Sequence, residues 1–318
     1  MTHFTNNKRC SETEKMFSYT ANGIPILSEI EFPELKTVEG SSNVIIRLGK
    51  VPSRIENPIY EGPASQAGKN KYLLNIKNVA TYFLEKKDNR FTITVDIVKG
   101  VELGEVRIFI LSSMFGALAH MHGYLPLHAS GVVINGKAIL FCGNAGMGKS
   151  TISAALYHKG YSFITDNLAS IFVNEEGVPM VYPSYSHFRL WKDSLDKLKD
   201  LKTPIFKMRE AVEKYNLILN ERTETKAIPL HKIYHLNHTA NNEISIVNSK
   251  GRLKADILVN ETFRIKLLKS LGSQKNYFEL LNQVCAKTEI AKIYRPNNSF
   301  LLNELVDQVL NNVTEIKG

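Results

Sequence analysis

Gly143-Asn-Ala-Gly146-Met-Gly148-Lys149-Ser150 is the stretch from which the architecture follows. It fits G-x-x-x-x-G-K-[ST], the P-loop pattern, which has structural meaning only between a strand and a helix. Both flanks comply. Gly131-Val-Val-Ile-Asn-Gly136 reads as a strand closing on an Asn-Gly turn, and Lys137-Ala-Ile-Leu-Phe-Cys142 as its return strand. An Ala-rich helix is expected from about Ser150 to His158, ended by Lys159-Gly160, and Tyr161-Ser-Phe-Ile-Thr165 reads as a short strand ending at Asp166. Strand, loop, helix, strand is one βαβ unit, with parallel strands side by side.

The residue types carry the chemistry. Glycines let successive backbone N–H groups turn toward phosphate oxygens, and the helix N-terminus adds the positive end of its dipole. The loop Gly143, Asn144, Ala145, Gly146, Met147, Gly148, Lys149, Ser150, with Thr151 after it, is therefore the candidate nucleotide phosphate site. Lys149 reaches the β- and γ-phosphates as a point charge. The Ser150 hydroxyl is a candidate Mg²⁺ ligand, because Mg²⁺ takes few protein ligands beside phosphates and water. Asp166 lies 17 residues beyond Lys149. At a neighbouring strand end it faces the phosphates, either on the metal or beside the attacking hydroxyl as a base. His128, in Leu125-Pro-Leu-His-Ala-Ser130, is the third candidate.

Outward from this unit the chain divides in two. Residues 1–15 are polar. From Phe17 to about Val98, β-rich runs such as Val44–Leu48, Tyr72–Ile76, Ala80–Leu84 and the strictly alternating Phe91–Val95 alternate with turn residues. We expect a smaller β-rich N-terminal domain over 1–103 and an α/β P-loop catalytic domain over 104–318. Within the latter, Gly104–Tyr124 reads as a long buried helix, β-like segments run to Tyr182, Trp191–Glu213 has helical spacing, Val259–Val284 reads as helical, and Asn303–Leu310 closes the chain as a helix.

Composition narrows the function classes. Of 318 residues, 43% are hydrophobic and 22% charged, which excludes disorder and low-complexity arrays. The balance of 40 Lys+Arg against 31 Asp+Glu gives +9 and favours anionic partners. The positive charge lies in Lys-rich stretches such as Lys192–Lys207 without interleaved aromatics, which argues against nucleic acid. Cys10, Cys142 and Cys285 are too scattered for a disulfide framework or zinc site. No secretory signal or ~20-residue apolar span is visible, so a soluble cytoplasmic protein without a membrane partner is expected.

The segments Pro126–Thr151 and His158–Asp166 resemble the HPr serine kinase/phosphorylase catalytic domain: a His-small-small strand, a hairpin, the P-loop and an Asp at the next strand end. The resemblance is closer to the HPr-kinase-like proteins of peptide biosynthetic clusters, including lasso peptide precursor kinases. It extends to Val181-Tyr-Pro-Ser-Tyr-Ser-His-Phe-Arg-Leu-Trp191, Lys214-Tyr215, Thr262-Phe-Arg-Ile-Lys-Leu-Leu268 and Ile46-Arg-Leu-Gly49. It is specific from 125 to 191 and loose elsewhere.

The resemblance implies an ATP- and Mg²⁺-dependent kinase that phosphorylates a serine on a lasso-type precursor peptide, with Asp166 as catalytic base and His128 in the active site. It also implies a homo-oligomer as a candidate assembly. Arg189, Lys214 and Arg264 are candidate cations for phosphate or a substrate carboxylate. One departure stands out: the family's Asp-Asp at the strand end is here Asp166-Asn167. Two alternatives follow, a serine kinase of HPr or another small protein, and an ATP-binding peptide-handling module without transfer activity.

Overall fold

Alternation of apolar and polar residues between 17 and 97 produces a nine-stranded sheet. In the computed structural model, which describes residues 15–185, 187–192, 195, 205–209, 212–219, 222–296 and 301–314, its strands are β1 (Phe17–Ala21), β2 (Ile24–Ser28), β3 (Lys36–Thr37), β4 (Val44–Leu48), β5 (Tyr60–Gly62), β6 (Ser65–Gly68), β7 (Lys71–Ile76), β8 (Ala80–Lys87) and β9 (Arg90–Ile97). Their order is β3-β1-β2-β4-β9-β8-β7-β6-β5, with β4 parallel to both neighbours. On β9, Phe91, Ile93 and Val95 point into the core, as the strict alternation predicts.

The long helix opens at Leu103. It runs as α1 (Leu103–Phe109), a π-helical stretch over Ile110–Met114 and α2 (Phe115–Met121). Val106, Ile110, Met114 and Leu118 are buried at helical spacing. They join the core of the N-terminal sheet, together with Leu168, Tyr185, Leu267 and Leu271. This 19-residue helix is long and apolar enough to cross a membrane by length and composition, yet 61% of that window is buried within the fold.

The second sheet carries the loop. Its strands are β10 (Leu125–Leu127), β11 (Ala129–Ile134), β12 (Lys137–Cys142), β13 (Ser162–Thr165), β14 (Ala169–Val173) and β15 (Pro179–Tyr182), later joined by β19 (Ile228–Thr239), β20 (Ser245–Asn248) and β21 (Glu289–Pro296). The order is β10-β14-β15-β19-β12-β11-β13, with β21 on β19 and β20 on β21. Between them in sequence, β16 (His187–Trp191), β17 (Ile205–Arg209) and β18 (Val212–Ile218) form a separate sheet, β16-β18-β17.

The expected βαβ unit needs one correction. Helix α3 (Lys149–His158) does connect β12 to β13, but the two strands are not neighbours. The hairpin partner β11 lies between them and is antiparallel to both. Two reversals leave β12 and β13 parallel, so their C-terminal ends still face the same way. The direct neighbour of β12 on its other side is β19, parallel and distant in sequence.

Two helical expectations also change. Where Trp191–Glu213 is described beyond residue 195, it is strand: Ile205-Phe-Lys-Met-Arg209 pairs with Val212–Ile218, and their β-branched and aromatic content suits a ladder. Residues 193, 194, 196–204, 210 and 211, with most of the Lys-rich stretch, lie outside the described residues, as do 1–14 and Cys10. Val259–Val284 is not one helix. It splits into Arg252–Glu261, a 3-10 turn at Ile265–Leu267, Leu268–Leu271 and Gln274–Lys287. The break falls where Thr262 bridges Leu127 and Arg264 takes φ +51°, because this stretch pairs with the 126–128 backbone. The closing helix forms over Leu302–Thr314.

Candidate functional site

The loop between β12 and α3 is shaped by glycines at the positions where another residue would fail. Gly143 has φ +133°, and a Cβ there would lie 2.8 Å from the Leu236 carbonyl oxygen of β19. Gly148, at φ +84°, precedes α3 as its N-cap. Lys149 opens the helix, only 8% exposed. Its Nζ donates to the carbonyls of Gly143 (2.6 Å) and Asn144 (3.1 Å), folding the ammonium back under the loop.

Ser150 and Asp166, 16 residues apart, meet in the fold. The Ser150 hydroxyl donates to Asp166 Oδ1 at 2.8 Å. The other carboxylate oxygen, Oδ2, accepts the backbone N–H of Arg189 at 2.8 Å, which docks β16 against the end of β13. Asp166 is buried. A cleft of about 150 Å³ opens over this group, lined by His128, Gly148, Lys149, Asp166, Asn167 and Arg189. Thr151 and Trp191 stand at its wall.

Of the sequence candidates, Ala145, Gly146, Gly148, Lys149, Ser150, Thr151, Asp166, His128 and Arg189 therefore converge on one cleft, while Gly143, Asn144 and Met147 do not line it. Arg264 does not line it. Its Nη2 donates to Ser113 in the π-helical stretch at 2.6 Å. Lys214 lies on β18 opposite Trp191, and its side chain is outside the described residues.

Arg189 is held by residues that sequence reasoning missed. Its guanidinium lies 5.2 Å from the Tyr185 ring centroid, and its Nε donates to His187 Nε2 at 3.4 Å. Tyr185 and His187 stack at 4.5 Å. Burial, helped by the Arg189 charge, pushes the His187 pKa well below that of a free imidazole, so the ring is a neutral acceptor. Behind the loop lies a second group, also missed. Glu261 Oε2 accepts the Gly143 N–H at 3.0 Å, and Oε1 pairs with His235 Nε2 at 3.1 Å. Neither residue sits in a recognisable motif; only topology brings them to the loop.

Asn167 adopts a left-handed backbone at φ +72° at the cleft wall. Among the described residues Asp166 is the one carboxylate lining the cleft, and no three His, Cys, Asp or Glu side chains among them converge into a metal cage. A hydroxyl and a carboxylate in contact at a helix N-terminus are hard oxygen donors. They fit Mg²⁺ held mainly by phosphates and water, and they do not fit a zinc-type centre.

No family model matches the chain, and no curated protein does. Among solved structures, the chain is similar to the HPr(Ser) kinase/phosphatase from Coxiella burnetii, with a TM-score of 0.34 and 12% identity over 61% of this chain and 93% of that one.

Proposed function

We propose that the protein is an ATP- and Mg²⁺-dependent kinase that phosphorylates a serine hydroxyl on a precursor peptide in the cytoplasm. The observation that supports this reading is the 2.8 Å contact between Ser150, on the loop helix, and Asp166, in a cleft also lined by Lys149 and Arg189. A candidate base, a hard metal-ligand pair and two cations are among the residues lining that cleft. Phosphoryl transfer needs that positioning and charge stabilisation rather than covalent help from the protein.

In this reading Lys149 leaves its loop carbonyls to meet the β/γ-phosphates, and the loop N–H groups and the α3 N-terminus take the remaining negative charge. Asp166 accepts the proton of the serine hydroxyl as its oxygen bonds to the γ-phosphorus and the bond to the β-bridging oxygen breaks. Arg189, fixed by His187 and Tyr185, faces the equatorial oxygens. His128, at the same cleft, orients the incoming hydroxyl. Ser150 and Asp166 are the residues that would hold Mg²⁺ beside the phosphates, where it would supply neutralisation of the developing charge.

The peptide acceptor rests on the resemblance of Val181–Trp191 and Thr262–Leu268 to peptide-cluster kinases, and a homo-oligomer on the resemblance to HPr kinases. A second reading is favoured by Asn167: with one carboxylate in the cleft, the protein could bind ATP to gate peptide handling without transferring phosphate. Incubation with γ-labelled ATP, Mg²⁺ and a serine-containing precursor peptide decides. Label on the peptide is the expected result. Label only on an offered HPr would move the acceptor to a small protein. Tight ATP binding without transfer to either would establish the binding module.

A further inference from the structure

Glu261 is the last residue of the Arg252–Glu261 helix. A carboxylate there opposes the helix dipole, and at 7% exposure it is also stripped of water. Such a group persists where its contacts are specific. Oε2 takes the N–H of Gly143, the first residue of the loop. Oε1 takes His235 Nε2, on the strand beside β12. His235 is itself oriented, since Asn237 Nδ2 lies 3.1 Å from its Nδ1. An amide donor at Nδ1 leaves the ring proton on Nε2, directed at the carboxylate.

The backbone of the same residue reaches the other side of the cleft. The Glu261 carbonyl accepts the His128 N–H at 2.8 Å, and two residues on, Phe263 N–H donates to the Pro126 carbonyl at 2.8 Å. One residue therefore fixes where the loop leaves β12 and where His128 joins β11. Gly143 gives its N–H to Glu261 and its carbonyl to Lys149, so both of its peptide groups are tied, and the Glu261 contact remains when, in the proposed reading, Lys149 turns to phosphate.

We infer that Glu261 is a positioning residue that anchors the phosphate loop from behind, through Gly143 and His235, without touching phosphate. The inference rests on the reading of 143–151 as a phosphate site. It assigns to the side chain an effect on nucleotide affinity and to the backbone the placement of His128. Removing the side chain then loosens the loop and leaves the reacting groups where they are.

The test pairs amide hydrogen exchange at Gly143 with Mg-ATP titration in the full-length protein. Glu261→Ala is expected to raise exchange at Gly143 by about 100-fold and to weaken Mg-ATP binding about tenfold, the scale of one charge-assisted hydrogen bond. Turnover at saturating ATP should stay within about threefold of the parent, because the groups that act in the transition state are untouched. Glu261→Gln keeps one acceptor oxygen at the same reach but turns its amide N–H toward the other donor, so it should restore Gly143 protection and affinity only in part, to values between those of Glu261→Ala and the parent. A folded Glu261→Ala protein with parental Gly143 exchange overturns the anchor, and so does a loss confined to turnover. Should Glu261→Ala not fold, Glu261→Asp decides: one methylene shorter, it is expected to lose Gly143 protection, and retained protection overturns the inference. Absence of ATP binding by the parent protein would refute the phosphate-site reading instead, and the exchange measurement would still judge the anchor.

Discussion

The two large sheets bury different things. Among the described residues, the sheet of β1–β9 encloses only neutral polar side chains, Asn22, Ser28 and Thr94, in an otherwise apolar core. The sheet that carries the loop, with the strand and helix packed against its end, buries Lys149, Asp166, Arg189, Lys232, Glu261 and His187. An unpaired buried charge costs several kcal/mol, so each must be compensated. Each is: Lys149 by loop carbonyls, Asp166 by Ser150 and a backbone N–H, Arg189 by neutral His187 and the Tyr185 ring, Glu261 by Gly143 and His235, and Lys232 by Asn312 and Glu289. Stability alone is better served by the first arrangement. The second makes sense where charges must be held ready for a ligand, which supports the proposal that the loop-bearing part carries the chemistry.

Substitutions sharpen that contrast. The largest effect is expected at Asp166. If it is the base, Asp166→Asn lowers single-turnover transfer by about 10²–10⁴ with Mg-ATP affinity near that of the parent. If it chiefly holds the metal, calorimetry will show Mg²⁺-dependent binding weakened as well. Undiminished transfer would remove Asp166 from the mechanism and turn attention to His128.

Lys149→Ala comes next. It should reduce transfer by about 10²–10³, the scale of one lost charge-stabilising donor, and weaken ATP binding while the circular dichroism spectrum is retained. Near-normal turnover would contradict the phosphate-loop reading.

A smaller effect concerns acid stability. Burial pushes His120 down to about 4, against the opposing bond to the Phe263 carbonyl, and holds His187 far below its usual range. The unfolded chain protonates both near pH 6.5, whereas the native state does not. Stability is therefore unaffected above about pH 6.5 and falls below it, by up to ~3 kcal/mol for His120 by the time pH reaches 4. Urea midpoints measured between pH 8 and 5 should show this decline, and a flat profile from 6.5 to 5 would contradict it.

The mildest change belongs to the other sheet. Ile93→Val on β9 should lower stability by about 0.5–1.5 kcal/mol through lost packing alone, with transfer unchanged. A drop in transfer larger than the stability loss would show that the N-terminal sheet takes part in the chemistry.

The sequence carried the local part of this. Gly143–Ser150 between an apolar run and an Ala-rich stretch, and Asp166 after Tyr161–Thr165, are contiguous signals, and the loop, α3, β13 and the Ser150–Asp166 meeting come from them. The alternation of Phe91–Val95 and the apolar run through 106–119 were equally direct. What escaped was non-local. Nothing in Lys137–Thr165 says that β11 will separate β12 from β13, because either order satisfies the same apolar pattern. The helical reading of Val259–Val284 failed at Thr262–Arg264, where pairing with 126–128 overrides local spacing. Glu261 and His235 carry no local signal at all. Each becomes meaningful only once β19 lies beside β12.

That placement of β19 has a consequence for synthesis. Cys142 and His235 are parallel partners, and the Gly143–Glu261 bond spans 118 residues. A chain emerging from the ribosome displays its complete Gly143–Ser150 motif long before β19 and residue 261 are made. The nascent polypeptide therefore has the motif without the strand that pairs with β12 and without the Glu261 contact, and loop closure over so long a separation is slow. Ligand capacity should be acquired late and in one step, when β19 inserts and the helix ending at Glu261 seats, and not gradually as translation passes the motif.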